Sequence, residues 1–192
     1  MNHFGPINGV EVSDRWQYFG VPWHFWNTYE KNDERRELFF YDYIGTDGRR
    51  YVQPPAGEIN PPAGYYYLPD VATKKYADPN GSKTYLDGHV FPILRYADVL
   101  LSRAEALNEL NGPNQESIDL INQVKARSKA TLLKTASTYS KESLRSALLT
   151  ERSWEFFLEC KRREDLIRMG KYETIVNQYL TDIGKPARID IS

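Results

Sequence analysis

Cysteine is nearly absent from this chain. Cys160 is the only one, which excludes an intramolecular disulfide and every metal site built from paired cysteines. A lone cysteine inside a helical pattern is expected to serve as a small buried hydrophobe. No apolar run approaches the roughly 20 residues needed to cross a bilayer. Met1 to Val10 has no basic stretch followed by an apolar core, so no secretory signal is expected there. The formal net charge of −1 supplies no long-range field, and no nucleic-acid partner is expected on that ground. A Gly-rich phosphate loop, His-Glu-x-x-His and Gly-x-Ser-x-Gly are all missing. His3, His24 and His89 stand singly, so neither a metal site nor a cofactor is expected.

What is present divides near Pro92. Residues 1–94 form a loop-rich aromatic segment that holds most of the eleven prolines, twelve glycines and the aromatic residues. Residues 95–192 read as helix nearly throughout. From Arg95 to Asn111, Tyr96, Val99, Leu100, Ala104, Leu107 and Leu110 recur at helical spacing. Gly112-Pro113 ends that helix, and Asn114 can cap the next, whose face is Ile118, Ile121 and Val124. So short a turn requires antiparallel helices that bury their stripes against each other. Ser140 caps a third helix carrying Leu144, Ala147, Leu148, Trp154, Phe157 and Leu158, expected to run on to Met169. A last helix places Tyr172, Ile175, Val176, Tyr179 and Leu180 on one side. In the first half, Leu38 to Tyr41 and Arg49 to Val52 flank Gly45-Thr46-Asp47-Gly48 and predict a small β-hairpin. Pro54-Pro55-Ala56-Gly57 recurs as Pro61-Pro62-Ala63-Gly64 and predicts an extended, turn-rich surface loop. The fold class is therefore mostly α: packed antiparallel helices, a long aromatic loop-rich segment and a small hairpin.

Two constellations could carry function. Between Arg15 and Glu30 lie Trp16, Tyr18, Phe19, Trp23, Phe25, Trp26 and Tyr29, with Asn27 among them. A sugar ring has an apolar C–H face and a rim of hydroxyls, which a Trp or Tyr platform with a neighbouring amide matches at once. Trp16, Trp23 and Trp26 are the stacking candidates, with Tyr18, Tyr29 and Asn27 as flanking contacts. The alternative for any single one of them is a place in a small aromatic core. The second constellation is Glu151-Arg152, Glu155, Glu159, Arg162-Arg163, Asp165 and Arg168. A hydrolase would use Glu151, Glu155 or Asp165 as paired carboxylates. An Arg–carboxylate network locking helix to helix fits better, because these residues stand among Trp154, Phe156, Phe157 and Leu158.

The string Pro92-Ile93-Leu94-Arg95-Tyr96-Ala97-Asp98-Val99-Leu100-Leu101, followed by Ala104-Glu105-Ala106-Leu107-Asn108-Glu109, resembles the SusD/RagB family of nutrient-binding lipoproteins. Ile121 to Arg127 is similar to the family's Asn-x-Val-Arg-x-Arg helix. Glu151-Arg152, Glu155-Phe156, Glu159, Arg162, Asp165 to Arg168 and Gly170-Lys171 are similar to its Glu-Arg…Asp-Leu-x-Arg signature. Upstream, Asn32-Asp33-Glu34-Arg35 and Lys75-Tyr76 match two further elements. Two positions depart from the pattern. Cys160 stands where the family commonly has Gly, so a less sharply broken helix is expected there. Lys125 replaces a usual Arg, which weakens bidentate pairing. Family members are typically more than twice this length, so the resemblance implies the C-terminal part of such a protein, without its signal or lipid-anchor cysteine. It further implies a non-catalytic role, with no enzyme activity. An oligosaccharide or other nutrient is bound at the outer-membrane surface and delivered to a TonB-dependent, SusC-like transporter. Residues 1–94 would then face the ligand while 95–192 act as helical scaffold. The alternative is a helical interaction module that completes or docks on a partner chain.

Overall fold

A computed structural model describes residues 20–75, 92–188 and 190. These fall into two units, one of residues 20–75 with Ser128–Thr131 and one of residues 92–127 with 132–190.

In the helical unit the caps read from sequence are formed. Helix α2 (Tyr96–Asn111) ends on Gly112, whose positive φ of 73° is one that a residue without Cβ adopts freely. Helix α3 (Gln115–Arg127) starts at Asn114, whose Oδ1 accepts a hydrogen bond from the Ser117 amide at 3.0 Å. Helix α4 (Lys141–Glu155) opens with a reciprocal box: Ser143 N donates to Ser140 Oγ at 3.1 Å and Ser140 N donates to Ser143 Oγ at 2.8 Å. Leu100, Leu101 and Ala104 of α2, Ile118, Ile121 and Val124 of α3, and Leu144 and Leu148 of α4 share one buried core. Each of the Leu, Ile and Val side chains stabilises the unit by about 1.5–3 kcal/mol through burial. Helices α5 (Arg162–Arg168) and α6 (Tyr172–Asp182) follow. No helix among the described residues is long and apolar enough to cross a membrane.

Three expectations are corrected here. Tyr96, Val99 and Leu110 are 69%, 50% and 82% exposed; α2 turns Ala97, Leu100, Leu101, Ala104 and Asn108 inward instead. The helix carries apolar residues on two faces, and periodicity alone does not say which of them its neighbours cover. The third helix does not run on to Met169. It stops at Glu155, and Leu158 and Cys160 both take φ 59° before α5 begins. Cys160 is accordingly exposed at this turn rather than buried. Tertiary ion pairs around the break outweigh the local preference to continue the helix.

The loop-rich unit holds α1 (Trp23–Trp26), a 3-10 turn over Glu34–Leu38 and five short strands. Strand β1 (Phe39–Phe40) pairs antiparallel with β5 (Ala72–Thr73). Strand β2 (Tyr43–Ile44) pairs antiparallel with β3 (Arg50–Val52), and β3 runs parallel to β4 (Tyr65–Tyr67). The expected hairpin exists, but its first strand is Tyr43–Ile44; Phe39-Phe40 is taken by the distant Ala72–Thr73 instead. Parallel neighbours need a crossover of about a dozen residues, and residues 53–64 supply it. The repeated Pro-Pro-Ala-Gly makes the same turn twice. Glu58 N donates to Pro55 O and Tyr65 N to Pro62 O, at 3.0 and 3.1 Å. Gly57 and Gly64, both at φ 80°, fill the position of each turn that demands a positive φ.

The Asn32-Asp33-Glu34-Arg35 element acts as a clasp. Asn32 Nδ2 donates to Lys129 O at 2.7 Å, and Glu34 N donates to Ser128 O at 2.8 Å. Thr131 N donates to Glu30 Oε2 at 2.6 Å. Asp33, almost fully buried, caps the 3-10 turn and binds the buried Arg35 guanidinium at 2.7 Å.

Candidate functional site

The aromatic segment is organised around α1. Pro22 starts it, and its flank is fixed by the Val21–Val71 bridge, two backbone bonds of 2.8 Å. Trp23 is half-buried and donates its indole N–H to Leu68 O at 2.8 Å. Its ring meets Trp26 edge-on with centroids 5.6 Å apart. Trp26 is 7% exposed; Tyr41 lies 4.6 Å from it and the Arg36 guanidinium 3.9 Å above its face. The Trp26 Nε1 is buried with no hydrogen-bond partner among the described residues. Tyr29, 3% exposed, packs between Phe25 and Phe39 with centroids 5.6 and 5.4 Å away. Asn27 is exposed just beyond the helix. Trp16 and Tyr18 lie outside the described residues. Ring contacts thus join Trp23, Trp26 and Tyr41 in one group and Phe25, Tyr29 and Phe39 in another, with Trp23 half-buried and Asn27 exposed.

A second aromatic group was not singled out by sequence. Tyr43, Tyr51 and Tyr66 are register partners across β2, β3 and β4. Tyr43 and Tyr51 stack 4.9 Å apart at 5° and Tyr66 continues the pile at 4.9 Å. The Tyr51 hydroxyl donates to Asp47 Oδ2 at 2.9 Å across the turn. Burial, with the neighbouring tyrosines and Asp47 adding to it, pushes the Tyr43 hydroxyl above the ordinary tyrosine range. This row faces inward. The adjacent register row, Ile44–Arg50–Tyr65, is exposed at each position. Strand alternation in the Tyr65-Tyr66-Tyr67 run was the available signal.

The charged constellation is an ion lattice within the helical unit. Arg95 grips Glu159 through Nε and Nη2 at 2.9 and 2.8 Å and reaches Glu155 Oε1 through Nη1 at 2.8 Å. Arg127 takes the other Glu155 oxygen at 2.5 Å. Lys125 Nζ meets Glu151 at 3.2 Å. Arg152 bridges Asp165 at 2.8 Å and Asp98 at 3.2 Å, and Lys161 also binds Asp98, at 2.8 Å. Burial raises the Asp98 carboxyl, but Lys161 and Arg152 outweigh it and hold the group below the usual carboxylate range. Phe156 lies at the hub, with the Arg95, Arg152 and Lys161 cations 5.2, 5.0 and 5.8 Å from its ring. Glu151, Glu155 and Asp165 are at most 3% exposed. Each is paired with a cation, the geometry of a lock between helices.

The sequence profile of the SusD family matches residues 7–185. The chain belongs to the SusD family. Among its relatives, SusD-like protein P25 of Formosa agariphila is 43% identical over 79 residues, covering 41% of this chain and 15% of that protein. The starch-binding protein SusD of Bacteroides thetaiotaomicron is 34% identical over 104 residues, 54% of this chain and 17% of that protein. A solved SusD superfamily protein from Parabacteroides distasonis aligns over 80% of this chain and 31% of its own, with a TM-score of 0.48 and 24% identity. The matches to curated SusD relatives span only 15% to 30% of those proteins' lengths. Within the SusD signature, the Glu-Arg and Asp-Leu-x-Arg elements are the members of the ion lattice, so here they hold the fold together.

Proposed function

We propose that this chain is part of a non-catalytic SusD-family binding protein that captures an oligosaccharide at the outer-membrane surface for a TonB-dependent, SusC-like transporter. Family membership over residues 7–185 carries this reading, together with the relative named as a starch-binding protein. The residues before position 95 supply the ligand-facing portion and those after it the scaffold. Trp23 offers a partly exposed ring whose N–H is already fixed by Leu68, and Asn27 stands beside it in solvent. Trp26 and Tyr29 support that helix from within, while Trp16 and Tyr18 complete the set of contacts. The lattice around Phe156 supports a scaffold role for Glu151, Glu155 and Asp165 in place of acid–base chemistry. Affinity electrophoresis through gels carrying starch, xylan or mixed-linkage glucan tests the reading. Retardation by at least one polysaccharide, weakened in Trp23→Ala with the fold intact by circular dichroism, is the expected result. Migration unaffected by every polysaccharide would sink it.

A second reading, an interaction module, is favoured by one observation. Tyr96, Val99, Arg103, Ala106 and Leu110 line the exposed side of α2 at alternating three- and four-residue spacing, the seam a partner helix uses. Size-exclusion chromatography showing association that Val99→Lys abolishes would support it.

A further inference from the structure

We propose that the outward row of the three-stranded sheet, centred on Tyr65 and the Arg50–Asp42 pair, is a second saccharide platform that takes a neutral glycan. The proposal rests on the glycan-binding reading above but concerns a separate set of residues, on β2, β3 and β4 instead of α1.

The register places Ile44, Arg50 and Tyr65 side by side across three strands, and directly opposed residues share a face. Ile44 is 64% exposed and Tyr65 40%. Arg50 does not hang free beside them. Its Nε donates to Asp42 Oδ1 at 2.8 Å and its Nη2 to Asp42 Oδ2 at 2.6 Å, a two-pronged grip that fixes the plane of the guanidinium. Two residues along the same face, the Tyr67 hydroxyl donates to Glu58 Oε2 at 2.7 Å. That bond ties the 53–64 crossover down as a rim, and the repeated Gly57 and Gly64 turns shape it.

The chemistry of this row fits a pyranose chain. The exposed Tyr65 ring offers a face for axial C–H groups. Asp42 keeps unused acceptor lone pairs while Arg50 keeps unused N–H donors, so donor and acceptor stand next to each other. Adjacent hydroxyls of a sugar, each both donor and acceptor, satisfy that arrangement. The ion pair is also self-neutralising, which leaves no net charge for a uronate carboxylate to seek. An acidic glycan would have to displace Asp42 from Arg50 to bind.

The test uses the full chain, affinity gels with starch, xylan and mixed-linkage glucan, and pectin as the anionic comparator. The variants are Tyr65→Leu, which keeps apolar bulk and loses the ring, and Arg50→Lys, which keeps the charge and loses the planar fork. Near-UV circular dichroism of the tyrosine stack confirms that each remains folded. Each variant is expected to bind a neutral polysaccharide about fivefold more weakly, with Trp23→Ala and Tyr65→Leu giving additive losses. Wild-type retardation of both variants in every neutral gel that retards the protein overturns the platform and leaves the Trp23 reading standing. Stronger retardation by pectin than by the neutral polymers overturns the assignment of a neutral ligand, and no retardation by any polymer overturns both readings.

Discussion

Arg95 and Glu159, sixty-four positions apart in sequence, meet through two hydrogen bonds of 2.8 and 2.9 Å at the place where α4 breaks. Arg95 also precedes the first residue of α2, so one guanidinium joins a helix start to the break after another helix. Removing it takes the guanidinium fork from Glu159 and one of the cations that hold Glu155, two carboxylates 1% exposed at the side chain. Arg95→Ala is therefore expected to destabilise the chain by about 3–5 kcal/mol. Urea denaturation followed by far-UV circular dichroism checks this; a midpoint within error of wild type would show that the pair is idle.

The same break contains Cys160 at φ 59°, a conformation costing an L-residue about 1–2 kcal/mol that glycine avoids. Glycine loses about 0.5–1 kcal/mol of this advantage through its freer unfolded state. Cys160→Gly is expected to raise stability by up to about 1 kcal/mol, whereas Cys160→Ala, with its Cβ retained, should leave it unchanged. The shift in denaturation midpoint, read for both variants side by side, decides.

Gly45 closes the β2–β3 turn with no room for a side chain. A Cβ there would lie 2.6 Å from Tyr51 Cε2 and 2.8 Å from Asp47 Oδ1. Gly45→Ala is expected to cost about 1–3 kcal/mol by pushing Tyr51 out of its stack on Tyr43. Loss of near-UV tyrosine ellipticity, with far-UV helix signal retained, is the signature to look for.

Glu109 gives a dependence on acid. The Arg145 hydrogen bonds hold its carboxyl at about 2, against an ordinary 4.5, with burial opposing and Lys141 assisting. Between those values the unfolded chain binds more protons than the folded one, so stability rises with pH. This contribution is complete above about 4.5 and is lost as pH falls toward 2. Glu109→Gln should flatten the stability curve in that window and nowhere above it. Because the side chain is 36% exposed, salt should weaken the effect.

Local signals in the sequence were sufficient for the ends of α2 and the starts of α3 and α4. Gly112, Asn114 and Ser140 act through their own backbone and nearest neighbours. The choice of face on α2 depended on which neighbours cover it, and the break after Glu155 is tied by a cation brought in from Arg95, sixty positions away. Neither is written in a window of ten residues. For the same reason Phe39-Phe40 could not reveal that it pairs with Ala72–Thr73, more than thirty positions on. In the aromatic segment, density of rings pointed to Trp23, Trp26 and Tyr29 but could not rank their exposure. Strand period alone makes Tyr65 and Tyr66 alternate, but which of the two faces is covered was visible only once the strand register was known.

The clasp formed by Asn32, Glu30 and Glu34 around Ser128–Thr131 makes the loop-rich unit discontinuous in the chain. Residues 20–75 are completed by a tetrapeptide that the ribosome adds only after α2 and α3 have been made. No single proteolytic cut can release that unit whole, and residues 1–91 expressed alone would lack its closing piece. Its assembly is consequently late, gated by synthesis of the helices that precede its last four residues.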